Sequence, residues 1–255
     1  MSGKLIRVLS IDGGGIRGII PAQVLVSLEK YLKEYTQDPD AGIGDFFDCI
    51  AGTSTGGILT CIYLCPGEAD ASRPRFSAKE AVEFYVEYGP DIFKRSVWRE
   101  VLSLFGLVQA KYSAHNLERI LRSFFKDMKL SMLLKSCLIT SYNIEARYEH
   151  LFTREDALKN PDFDFYVRDV ARATSAAPTY FDAAGIKSMA GSFFPLVDGG
   201  VFANNPALCA YTEVCREYNE IMGLESQPST ADIAILSLGT GEDNKPILYK
   251  KAKNW

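Results

Sequence analysis

A three-layer α/β/α fold with a mainly parallel central sheet is predicted by three observations. Short apolar runs alternate along the chain with segments of helical period. Glycine-rich turns stand where such a run gives way to a helix, at residues 13–18 and 52–56. The 255 residues, 47% hydrophobic and 24% charged, contain no internal repeat, low-complexity tract or linker, so a single domain with one large core is expected.

The first strand covers residues 5–11 and ends at Asp12. A glycine run then leads into a helix over 19–35, with Pro21 in the first turn, where its missing N–H costs nothing. A short buried strand from Phe46 is followed by a second helix that runs to about Cys65. Ser77-Ala78-Lys79-Glu80 has the capping-box pattern and opens a helix that Gly89-Pro90 should stop near Tyr88. A helix over 116–125, a strand over 137–143 and an antiparallel partner over 148–153 come next. Further along are a helix over 166–175, a short strand at Leu196-Val197, a helix over 206–218 and a late buried strand over 233–238. Strands alternating with helices place ligand crevices at the carboxyl ends of the strands, where Asp12, Ser54 and Gly239 fall.

Composition excludes several classes. The net charge of −4 comes without a basic block, which argues against a nucleic-acid surface. No run approaches the ~18 apolar residues of a membrane span, and the N-terminus lacks a signal-peptide pattern, so a cytoplasmic protein is expected. The six cysteines lie in apolar segments without Cys-x-x-Cys or zinc spacing and are expected to be reduced, buried and inert, with neither metal nor cofactor implied. The closing Lys250-Lys251-Ala252-Lys253-Asn254-Trp255 reads as the opening of an exposed helix, so the native chain is expected to continue.

Gly52-Thr53-Ser54-Thr55-Gly56 lies between a strand and a helix, the order of a nucleophile elbow, although the same five residues also read as a plain glycine turn. A serine needs a base. His115 lies at a helix start and His150 in a hairpin-like run, and no histidine follows the late acids, so a Ser-acid-His order is not available. Asp198, at the end of a short apolar strand and before Gly199-Gly200, is the best carboxylate candidate, with a simple turn as its alternative. Asn204 and Asn205 brace that turn or cap the helix after it. Gly13, Gly14 and Gly15 offer backbone N–H groups at a helix start for an oxyanion. Arg17 reads as a phosphate-orienting group, as a loop brace, or as an ordinary surface residue. Gly13-x-Gly15-x-x-Gly18 also spells the dinucleotide fingerprint, but a polar turn stands where that motif needs a strand ending in an acid.

In that order, Asp-Gly-Gly-Gly-x-Arg-Gly at 12–18, Gly-Thr-Ser-Thr-Gly at 52–56 and Asp-Gly-Gly at 198–200 resemble the patatin-like phospholipase family. Ala173-Thr174-Ser175-Ala176-Ala177-Pro178 and Ser237-Leu238-Gly239-Thr240-Gly241 are similar to further segments of it. The resemblance implies a patatin-like acyl hydrolase domain over 1–255 that acts on phospholipids or other acyl lipids as a phospholipase A or lysophospholipase. It implies a Ser54–Asp198 dyad, an acyl-serine intermediate, an oxyanion hole at Gly13, Gly14 and Gly15, and no catalytic metal. A transacylase using the same acyl-enzyme and a storage or scaffold protein with weak esterase activity are the alternatives. Residues 91–108 mix basic residues and Trp98 with apolar ones, as a core or pocket-wall helix does, or as a lid touching a membrane would. Peripheral membrane contact is the expectation that this second reading carries.

Overall fold

A computed structural model describes residues 5–92, 114–224 and 226–242. The segment around Trp98 and the basic C-terminal run lie outside the described residues. Strand β1 (Ile6–Ile11) passes through a single 3-10 turn (Gly15–Gly18) into α1 (Ile19–Thr36). The short α2 (Ile43–Phe46) precedes β2 (Cys49–Thr53), and α3 (Thr55–Tyr63) follows it directly. Then come α4 (Ala78–Ile92), α5 (Ala114–Phe125), β3 (Ser136–Asn143) and β4 (Tyr148–Thr153). The chain continues through α6 (Arg154–Lys159), α7 (Val167–Thr174), β5 (Ala184–Lys187) and β6 (Phe193–Asp198). It closes with α8 (Ala207–Arg216), α9 (Tyr218–Met222) and β7 (Ile233–Leu238).

The strands form one sheet in the order β5-β6-β3-β2-β1-β7, with β4 also on β3. β7, β1, β2 and β3 are mutually parallel, whereas β4 and β6 run antiparallel to β3. Alternation along each strand divides the core into two. Leu9, Ile11, Ile50, Cys137 and Ile139 face the larger core, which takes in residues of α1, α3, α4, α5 and α7. Ile6, Val8, Cys49, Ala51 and Leu138 face the other way, against Ala210 and Val214 of α8. Two-residue periodicity on strands buried on both sides is what produces three layers.

Several sequence expectations are corrected. The capping box at α4 forms, with Glu80 accepting from the Ser77 amide at 2.8 Å, but the helix does not stop at Tyr88. Gly89 packs against Ile16 and Ile92 is buried in the core, and this burial holds the last turn despite the hydrogen bond that Pro90 cannot make. Among the described residues β7 is not buried: Ile235 and Leu236 are 37% and 38% exposed, because the strand pairs there with β1 alone and lies at a sheet edge. β6 is longer than Leu196-Val197, and its antiparallel partner β5 was not anticipated. The six cysteines are unpaired; Cys49, Cys61, Cys65 and Cys137 are buried, while Cys209 and Cys215 are partly exposed. Burial pushes the Cys49 thiol up to about 12 and Cys65 to about 11, which keeps both protonated and unreactive. Among the described residues no helix is long and apolar enough to cross a membrane.

Candidate active site

β4 occupies one edge of β3 from Leu138 to Asn143, so the strands that pair with the same residues from the other side share the second edge. β2 holds that edge as far as Thr140, opposite Thr53. One residue later β6 takes over, with Asp198 opposite Ser141. The two strands therefore meet end to end. Ser54 leaves the sheet at the point where Asp198 arrives, near enough for its hydroxyl to favour the ionised form of the Asp198 carboxyl. Gly200 N–H donates to Asp198 Oδ1 at 2.7 Å, which fixes the carboxylate from its other side.

Ser54 sits in the turn at φ 54°, ψ −118°, a conformation that costs an L-residue about 1–3 kcal/mol. The surrounding glycines make the turn possible. A side chain on Gly52 would strike the backbone of Gly56, and one on Gly56 would strike the Ile11 carbonyl, so strand and helix pass at backbone contact distance. The glycine loop after β1 lies alongside: a methyl on Gly13 would stand 3.4 Å from Ser54 Cβ. Gly13 N–H donates to the Asn204 carbonyl at 3.0 Å, and its own carbonyl accepts from Thr240 Oγ1 at 2.9 Å and Asn204 Nδ2 at 3.3 Å. Gly13 is therefore committed on both sides, while Gly14 and Gly15 line the cavity beside Ser54. Asn205 takes the capping role anticipated for the pair, whereas Asn204 reaches the glycine loop after β1 and not the turn at Asp198. Asn204 braces the glycine loop, and Asn205 Oδ1 accepts from Ala207 N–H at the start of α8 at 2.9 Å.

Burial raises Asp198 to about pKa 6; the Ser54 hydroxyl and the hydrogen bond from Gly200 oppose that shift without cancelling it. Asp198 is 5% exposed and makes no ion pair among the described residues. Asp12, at the end of β1, is also shifted upward by burial, and its Oδ1 finds no partner among the described residues. Neither histidine joins the pair. His115 is exposed on α5, and His150 is buried on β4 against Phe152, Phe165 and Phe194. That burial lowers its pKa to about 4 and keeps it neutral, and β4 lies on the opposite edge of β3 from Ser54 and Asp198.

Ser54 opens onto a cavity of about 470 Å³ whose walls include Ile58, Phe84, Tyr85, Ile92, Leu117 and Phe181. Arg17 is the one charged residue among the described residues lining it, and its Nη1 donates to the Gly241 carbonyl at 3.2 Å, a brace onto backbone and not onto an acidic partner. Among the described residues no group of His, Cys, Asp and Glu is arranged to hold a metal. Sequence reasoning did not assign roles to Thr174, whose Oγ1 accepts from Ser54 N–H at 2.8 Å, or to Thr240; both lie in segments singled out for their resemblance alone.

The chain is 40% identical over 220 residues to patatin-like protein 2 of rice (Oryza sativa subsp. indica), a stretch covering 84% of this chain and 54% of that one. It is 37% identical to patatin-like protein 1 of Arabidopsis thaliana over 99% of this chain and 63% of that one. It is 36% identical to probable inactive patatin-3-Kuras 1 of Solanum tuberosum over 99% and 68%. The chain thus spans about half to two thirds of the length of these relatives. The structure of VipD from Legionella pneumophila superposes with a TM-score of 0.42 at 12% identity, covering 98% of this chain and 52% of that one. The sequence profile of the patatin-like phospholipase family matches residues 9–211. Because that match takes in the glycine loop, the elbow and the Asp-Gly-Gly turn alike, the chain belongs to the patatin-like phospholipase family.

Proposed function

We propose that the protein hydrolyses acyl esters of lipids through a Ser54–Asp198 dyad. The observation that carries this reading is the end-to-end meeting of β2 and β6, which brings a strained serine beside a buried carboxylate without an ion pair among the described residues, next to a largely apolar cavity. As Ser54 Oγ attacks the ester carbonyl, its proton passes to Asp198. The carbonyl oxygen becomes an oxyanion that accepts from the amides of Gly14 and Gly15, with Gly13 holding the loop in place. The tetrahedral adduct collapses, the leaving alkoxide takes the proton from Asp198, and an acyl-Ser54 ester remains. Water then gives a proton to Asp198 and attacks that ester, releasing the fatty acid and restoring Ser54.

The Asp198 pKa supports this role. A base near pKa 6 is ionised at neutral pH, yet holds a proton better than an exposed aspartate would. The cavity supports the substrate class, because its walls are aliphatic and aromatic and suit an acyl chain rather than a polar group. One potato relative is named probable inactive, so turnover itself is the point to test. The experiment is peptide mapping after treatment with an alkyl fluorophosphonate, together with release of fatty acid from phosphatidylcholine and lysophosphatidylcholine. A stoichiometric adduct on Ser54 and lipid turnover that both vanish in Ser54→Ala are expected. An unlabelled Ser54 in folded protein would overturn the proposal.

A further inference from the structure

The backbones of Ser54 and Asp198 are held by the same three residues. Ser54 N–H donates to Thr174 Oγ1 at 2.8 Å, and Asp198 N–H donates to the Ala176 carbonyl at 3.1 Å. Residues 174–176 leave the end of α7, whose Val170, Ala171 and Ala173 are fully buried in the larger core. Ser175 Oγ donates to the Ala171 carbonyl at 2.7 Å, and Arg172 Nη2 donates to the Asp182 carbonyl at 2.7 Å, so the strap is fastened on both sides. Thr174 is itself fully buried, and it packs so closely on α3 that a methyl added to Gly57 would stand 2.7 Å from Thr174 Cγ2.

The Ser54 amide needs this partner for a local reason. The ladder of β2 with β3 ends at Thr53, one residue before the turn at φ 54°, and the acceptor that the Ser54 N–H meets beyond the ladder is Thr174 Oγ1. A buried N–H without an acceptor is costly, and relaxing the turn is the cheapest way to recover one. We propose that Thr174 is a positioning residue: its hydroxyl locks Ser54 in the strained turn, and the strap it belongs to sets the spacing between Ser54 and Asp198. This rests on the dyad reading above, and it adds a residue that never touches substrate.

The test uses the whole chain and four variants: Thr174→Val, which keeps shape and removes the acceptor; Thr174→Ser, which keeps the acceptor; Thr174→Cys, a weak acceptor of similar size; and Ser54→Ala. kcat and KM for p-nitrophenyl butyrate, active-site titration with a fluorophosphonate and thermal midpoints are measured for each. Thr174→Val is expected to lower kcat by about tenfold to a hundredfold, the scale of a small misplacement of a reacting group, with KM within about twofold. Thr174→Ser is expected to recover most of the rate and Thr174→Cys to fall between them; should Thr174→Val not fold, the Ser-to-Cys difference carries the test. Wild-type kcat in both Thr174→Val and Thr174→Cys, or equal loss in Thr174→Ser and Thr174→Cys, would overturn the inference. If Ser54→Ala still turns over substrate, the dyad reading fails instead, so the two failures are told apart.

Discussion

At the amino ends of the strands the carboxylates have cationic partners, and at the carboxyl ends Asp198 and Asp12 have none among the described residues. Asp48, just before β2, accepts from Arg7 three times, from its amide at 2.9 Å, Nε at 3.1 Å and Nη2 at 3.0 Å. Glu213 and Asp156 share Arg216, Glu217 meets Lys159 at 2.6 Å, and Glu155 lies 3.8 Å from Arg154 Nη1 while accepting from Ser136 at 3.0 Å. At the opposite end Asp198 has a serine hydroxyl and a backbone amide, and Asp12 has an oxygen with no partner among the described residues. Asp198 is as buried as Asp48 and Glu213, while Asp12 is only partly buried, so for Asp198 the difference lies in the partners supplied. Burial raises Glu213 to about 7 despite its ion pair with Arg216 and Asp198 to about 6 without one, so what sets Asp198 apart is a serine neighbour and no cation among the described residues, which leaves its charge uncompensated at a cost in stability.

The largest effect should come from the carboxyl end. Ser54→Ala is expected to lower ester hydrolysis by about 10⁴-fold or more, and Asp198→Asn nearly as much, because the two groups act as a unit. Steady-state rates on p-nitrophenyl butyrate, with circular dichroism to show retained fold, check this; wild-type rates in Asp198→Asn would remove the base from the account.

Stability should respond in opposite senses at the two ends. Arg7→Met removes the guanidinium that donates twice to the buried Asp48 carboxylate and is expected to cost about 1–3 kcal/mol in urea denaturation, since Arg7 is itself partly open to water. Asp198→Asn is expected to stabilise. Its carboxyl has a folded pKa of about 6 against 3.8 unfolded, so the folded state binds more protons between those values. Ionising it therefore costs stability progressively as pH rises from about 4 to 6, and the cost stays in place above that. Removing the charge should return up to about 3 kcal/mol at pH 7–8, from the ~1.4 kcal/mol per pKa unit, and nothing below pH 4. Destabilisation by Asp198→Asn at pH 8 would mean that the two ends do not differ as described.

Much of the site was legible because its parts are local. The elbow around Ser54, the acid at the end of an apolar strand and the three glycines each announce themselves within a few residues. The absence of a usable histidine was legible too, and the structure accounts for it: His150 is buried on the far edge of β3 and His115 is exposed. What was hidden depends on contacts between distant residues. Gly13 reads as an oxyanion donor until Asn204 is seen to hold its N–H, and Thr174 reads as one more residue of a small-residue segment until Ser54 is seen to donate to it. Elements were missed or misread where a short run has little pattern of its own. β5 is four residues containing a glycine, α4 runs through a Gly-Pro pair on the strength of tertiary burial, and β7 has a core-like sequence at an exposed edge.

The most direct measurement of the central claim is the pH dependence of Ser54 acylation by an alkyl fluorophosphonate, followed by intact mass. An ionised Asp198 must take the serine proton, so the rate should rise with pH through a midpoint near 6 and level off above 7, and in Asp198→Asn it should be slow and flat. A wild-type rate independent of pH between 5 and 8, or a profile unchanged by Asp198→Asn, would contradict the assignment of Asp198 as the base.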